Sequence, residues 1–300
     1  MTLSCYNAVK RTSGNQKRPK INKVTLSCYN VVKRVENKRP RVVPLYADVV
    51  FVGDRSHSMN STEGGSQVGA TAYMRKQKRL SEKSCPVYGF NIEFITFDDK
   101  AETHFNKDAS NITNKHISKI YKSMEPRGRT RLYDTAIEAI DKQIARVNRI
   151  KKMIPKDIQE LVSNCPWLFA FNIAVMTDGR DNESIQTKSE FKNAVKQYRK
   201  NEKGVAFFIA ANQDAQEKAI EYGFDPNNSL QMGNDRTSAI SAVSATASAQ
   251  YRSLSSGTSQ YIPCYTQLER DASVSCNISM PYPPIPTLTR GNTVSRVLFP

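Results

Sequence analysis

The sequence predicts an α/β fold: a doubly wound, mostly parallel six-stranded sheet with helices on both faces. Three apolar runs, at 49–52, 168–177 and 205–210, are continuous rather than alternating, which marks strands buried on both sides. Strand-like and helix-like patterns alternate from Tyr46 to Leu254, the order of a sheet with crossover helices. The basic charge, by contrast, is gathered outside this stretch. Residues 1–44 hold eleven Lys or Arg against Glu36 alone, so +10 of the chain's net +16 lies there.

Taken in order, the first strand covers about 47–54 and ends at Gly53-Asp54. Val68, Ala72, Met74 and Leu80 recur at loosely helical spacing over 65–81. NIEFITF (91–97) reads as a strand, Asp98-Asp99 as a turn, and the alternating 101–105 as a paired edge strand. Ile112, Ile117, Ile120 and Met124 predict a helix that stops before Pro126. Leu132, Ala136, Ile137, Ile140 and Ile144 predict a long one. The apolar strand 168–177 follows, then a helix through Phe191, Val195 and Tyr198, the strand 205–210, a helix over 215–222, and a small-residue helix over 238–254.

Flanking segments differ in character. TLSCYNAVKR (2–11) returns as TLSCYNVVKR (25–34), and each copy is followed by a basic segment around Pro19 or Pro40. Two short copies do not make a solenoid. They read either as a docking arm, with Lys10, Arg11, Lys33 and Arg34 as contact residues, or as a duplicated tail without a partner. Charge alone allows a polyanion partner, nucleic acid or a capsid-like surface. From Ser255 to Pro300 the Ser-rich and Pro-rich composition predicts an extended C-terminal arm, read either as a second docking arm or as an extension packed loosely over the domain. The domain limits expected are thus 1–44, 45–254 and 255–300.

No apolar h-region opens the sequence and no uncharged run reaches membrane-spanning length, so the expectation is a cytoplasmic or virion-associated protein without membrane contact. Six cysteines (Cys5, Cys28, Cys85, Cys165, Cys264, Cys276) form no CxxC pair and read as reduced thiols.

The chemistry is concentrated at strand ends. Asp54, Ser56 and Ser58 stand two apart just after the first strand, where ligands of an open parallel sheet bind. Strand 168–177 ends in Asp178-Gly179, a second carboxylate at a carboxyl end. PRGRTRLYD supplies Thr130 on a loop that opens a helix. Two carboxylates and three hydroxyls suit Mg²⁺ or Mn²⁺, which take oxygen ligands and keep a position for another molecule.

DRSHS, GRT and TDG match in type and order the metal-ion-dependent adhesion site of the von Willebrand factor A domain family, which residues 46–254 resemble. FFIAANQDA (207–215) is similar to the strand-five segment of microbial and viral members. The resemblance implies a vWA/Rossmann-like fold and a non-enzymatic protein–protein interaction module. It also implies direct contact of Ser56, Ser58 and Thr130 with the ion, water-mediated roles for Asp54 and Asp178, and a partner's acidic side chain completing the site. Two positions depart from the pattern: His57 and Arg129 stand where the family has glycine. Arg129, with Arg127 and Arg131, brings positive charge that either weakens a cation's binding or favours an acidic ligand. His57, Arg127 and Arg129 are therefore the partner-binding residues expected at the rim.

Catalysis is not expected. His57 is adjacent to the donors rather than placed as a base, and lone His104 and His116 read as surface residues. No phosphate-cradling Gly-rich motif is present, since Gly64-Gly65 lacks the Lys and Ser/Thr that would follow. The competing reading is a structural or assembly protein that uses the domain as scaffold and the basic arm for binding.

Overall fold

The computed structural model describes residues 44–84, 86, 88–156, 159, 168–179, 181–211, 214–255 and 265–274. All fall within one compact unit, 41–281. The cysteines, both copies of the duplicated motif and the Pro-rich 281–290 segment lie outside the described residues.

Strand β1 (Tyr46–Asp54) is the centre of a six-stranded sheet. It pairs in parallel with β2 (Phe90–Phe97) on one side and β4 (Phe169–Thr177) on the other. β3 (Ala101–Asp108) returns antiparallel to β2 after the Asp98-Asp99 turn, and is exposed as an edge strand should be. β5 (Val205–Ala211) and β6 (Ser229–Met232) extend the sheet in parallel, giving the order β3-β2-β1-β4-β5-β6. The order reverses between β1 and β4. Crevices at such a reversal, beyond the carboxyl ends of the strands, are where open α/β sheets bind ligands.

Helices cover both faces, so β1 is buried throughout and β4 everywhere but at Ala170. Ala47, Val49 and Phe51 share one core with Phe94, Met176 and Phe207, under α1 (Gly65–Ser84), α2 (Asn114–Ser123) and α6 (Arg236–Ser255). Val50, Val52, Ile173 and Val175 point the other way, towards α3 (Leu132–Met153), α4 (Lys188–Lys200) and α5 (Ala215–Tyr222). Small residues let α6 lie close on α1: a Cβ at Gly65 would stand 3.1 Å from the Ala239 Cβ.

Several boundaries follow from capping. Thr187 accepts from Glu190 N–H and donates its own N–H to the Glu190 carboxylate, a reciprocal start for α4. Asp214 accepts from the N–H groups of Gln216 and Glu217 to begin α5, and Gly223 in the left-handed region ends it.

Two elements differ from expectation. β6 is four residues long, below what a sequence pattern registers. The stretch from 255 expected to be extended contains a helix, α7 (Gln267–Val274), which packs on α6 and β6. Tyr265 precedes it, buried with its hydroxyl 2.8 Å from that of Thr246, and Arg252 pairs with Glu269 at 2.8 Å. Gln267–Val274 has two turns and only Ala272 as a buried apolar side chain, so its packing outweighs a weak local signal.

Candidate functional site

The site begins where β1 and β4 end side by side. Asp54 closes β1 with its side chain fully buried. One carboxylate oxygen accepts from Ser56 N–H at 2.7 Å, and the other from the Thr177 hydroxyl at 2.6 Å. Burial pushes the Asp54 carboxyl up to about 7, against those hydrogen bonds and with help from the nearby Asp178 charge. From there a chain of oxygens runs outward. Ser56 Oγ is 3.0 Å from Ser58 Oγ, and Ser58 Oγ donates to Asp178 Oδ1 at 2.7 Å. Burial likewise raises the Asp178 pKa. Neither carboxylate has an ion-pair partner among the described residues.

Thr130 arrives from the loop before α3. It is buried, and Asn182 brackets it: Thr130 N–H donates to Asn182 Oδ1 at 2.9 Å while Thr130 O accepts from Asn182 N–H at 3.0 Å. The Thr130 and Ser58 hydroxyls converge over Gly179. A Cβ there would stand 3.4 Å from Ser58 Oγ and 3.5 Å from Thr130 Oγ1, so glycine leaves open the space the two face. Asp54, Ser56, Ser58, Thr130 and Asp178 thus gather at one rim.

What holds the two donor loops together was not apparent from sequence. Asp98, in the β2–β3 turn, accepts from Arg55 Nε at 2.9 Å and Arg127 Nε at 2.7 Å. Its backbone carbonyl accepts from Arg131 N–H at 2.8 Å. Arg55 O accepts from Arg127 N–H at 2.7 Å, and His57 N–H donates to Gly128 O. Burial works against the Asp98 charge, but the Arg127 and Lys100 hydrogen bonds and the Arg55 charge outweigh it and hold its pKa below the usual range. Gly128 has φ +68, and a side chain there would collide with Asp98 and Asp99. The sequence signal was present: Asp98-Asp99 follows a strand and faces a loop with three arginines.

The rim arginines are engaged with carboxylates of their own rather than with the donor cluster. Arg127 pairs with Asp98 and Glu102, Arg131 with Asp134, and Arg129, 72% exposed, with Glu183 at 2.9 Å. His57 is exposed, its Nδ1 3.4 Å from Asn60 Nδ2. His104 is not the plain surface residue expected. It is half-buried, 2.7 Å from Thr96 Oγ1 and against the Phe94 ring, and burial lowers its pKa. His116, also half-buried, accepts from Thr113 N–H at the start of α2. Lys10, Arg11, Lys33 and Arg34 lie outside the described residues. Among the described residues no three His, Cys, Asp or Glu side chains converge, and no helix is long and apolar enough to cross a membrane.

No protein-family model and no curated protein matches the chain. Among solved structures it is similar to proximal thread matrix protein 1 from the mussel byssus, at 16% identity and a TM-score of 0.44, over 69% of this chain and 46% of that one. A von Willebrand factor type A structure from Catenulispora acidiphila matches at 13% identity and a TM-score of 0.45, over 69% of this chain and 43% of that one. A further structure of the mussel protein, with a zinc-occupied MIDAS motif, matches at 18% identity and a TM-score of 0.40, over 64% of this chain and 43% of that one. This chain spans less than half the length of each. These likenesses concern fold alone, and the strand order, with its reversal between β1 and β4, is that of a doubly wound, Rossmann-like α/β sheet.

Proposed function

We propose that the chain is a protein-interaction module that holds a partner through a divalent cation at the β1–β4 rim. The observation that carries this reading is the open space at Gly179, faced by the Ser58 and Thr130 hydroxyls and bordered by the Asp178 carboxylate. The donor set fits Mg²⁺ or Mn²⁺: every group is a hard oxygen, and two carboxylates stand without a cationic side chain beside them among the described residues. When bound, the cation supplies a position that an acidic side chain of a partner protein completes.

The chain's own residues do the rest. Ser56, Ser58 and Thr130 offer hydroxyl oxygens, and Asp54 and Asp178 offset the cation's charge. Thr177 and the Ser56 N–H hold the Asp54 carboxylate in place, as Asn182 holds Thr130. The arginines' own ion pairs leave this charge balance undisturbed, and exposed Arg129 remains within reach of an acidic partner. Among the described residues, His104 and His116 are engaged with Thr96 and Thr113 rather than with the Ser56 and Ser58 hydroxyls.

Affinity capture by the immobilised full chain, with Mg²⁺ and again with a chelator, tests the reading. A retained protein that chelator releases, and that a Ser58→Ala chain fails to retain, is the expected result. Retention indifferent to both would remove the cation from the account.

A further inference from the structure

The rim does not absorb a second feature, the charge on the outer surface of α1 and α2. These two helices pack side by side and together carry eight Lys or Arg against a single carboxylate, Glu82. On the other side of the sheet, α3, α4 and α5 carry eleven against six. Partners differ as well as numbers. Five of those eleven cations (Lys142, Arg146, Lys188, Arg199 and Lys218) sit in ion pairs. Of the α1 and α2 cations, Arg75, Lys78, Arg79, Lys115, Lys119 and Lys122 make none among the described residues.

Helical spacing gathers the cations of each helix on its outward side, and the two helices are neighbours. Ile117 and Ile120 bury one side of α2, and Lys115, Lys119 and Lys122, at i, i+4 and i+7, line the opposite side, all exposed. On α1, Tyr73, Met74 and Gln77 are buried while Arg75 and Arg79 face out. Like charges so placed repel one another and are costly to gather unless something negative lies across them. Tyr121, 47% exposed, stands on the flank of that lysine row, about 100° around the helix from Lys122.

We infer that the α1–α2 surface binds single-stranded nucleic acid, the cations tracking phosphates and the Tyr121 ring offering a base a face to stack on. Cations with an exposed aromatic ring are the elements of sequence-tolerant single-strand binding. A membrane surface fits less well, since among the described residues Tyr121 is the one large apolar side chain exposed on either helix, with no aliphatic group to insert. This surface is independent of the cation site and needs none of its residues.

The test is fluorescence anisotropy of a labelled oligothymidylate with the full chain, across a salt series. Residues 1–44 are common to every variant, so their charge cancels in the comparison. Reversing K115E/K119E/K122E should lower affinity at least tenfold at about 0.1 M salt and reduce the slope of log K against log salt by roughly 2. Tyr121→Ala should cost about tenfold and leave the slope unchanged. K152E/K196E/K200E, the same charge change at exposed sites on α3 and α4, should leave both nearly untouched. Equal losses in the two triple variants would reduce the effect to net charge and overturn the inference. So would wild-type affinity in K115E/K119E/K122E, or competition by duplex DNA or anionic vesicles as effective as that of the single strand.

Discussion

Gly179 shows how much of the proposed site depends on a side chain that is not there. An alanine Cβ would meet Ser58 Oγ and Thr130 Oγ1 at ordinary contact distance, so the fold should tolerate it while the space between the hydroxyls fills. Gly179→Ala is therefore expected to weaken Mn²⁺ binding at least tenfold, read by calorimetry, with a melting temperature within about 4 °C of the parent. A large fall in stability with intact binding would contradict this.

Asp134 acts at the same scale on the neighbouring loop. Burial alone would raise its pKa, but the N–H groups of Gln186 and Ile185 and the Arg131 side chain outweigh it and hold the carboxyl below the usual range. A folded value below the unfolded one, about 3.9, means that stability is fully present above that pH and is lost as pH falls through the folded value. Acid should thus loosen 181–187 before the sheet. The amide signals of Ile185 and Gln186 should titrate together below pH about 4, and in Asp134→Asn that step should vanish.

Among elements, the β2–β3 turn has the role least visible in advance. Asp98 joins the Asp54–Ser58 loop, through Arg55, to the Thr130 loop, through Arg127 and Arg131. Asp98→Ala leaves the buried Arg55 guanidinium without that carboxylate and should cost roughly 3 kcal/mol in chemical denaturation. A cost under about 1 kcal/mol would mean that Glu102 suffices as its partner.

Why some elements were legible in sequence and others were not has a physical reason. β1, β4 and β5 announce themselves because both faces are buried, so the apolar run is continuous. That Asp54, Ser56, Ser58, Thr130 and Asp178 come close together was legible because the carboxyl ends of neighbouring parallel strands lie side by side. β6 and α7 were not, because four- and eight-residue segments draw their stability from neighbours rather than from their own pattern. The roles of Thr177, Asn182 and Asp98, as distinct from their place in a motif or turn, were not legible for a related reason: they lie in hydrogen bonds to residues 29 to 123 positions away. Side chains are positioned by folding, and no local spacing records it.

At the scale of the domain, two surfaces stand apart. The strand reversal between β1 and β4 sets the oxygen-lined rim at the carboxyl edge of the sheet, and the outward sides of α1 and α2, on one face, present cations that make no ion pair among the described residues. The rim is the central claim, and isothermal titration of the full chain with Mg²⁺ and Mn²⁺, before and after Asp54→Ala, tests it most directly. Saturable heat is expected from the unmutated protein, and none from an Asp54→Ala chain that circular dichroism shows to be folded. An unmutated protein that gives no heat with either ion, or a variant that binds as well as its parent, would contradict it.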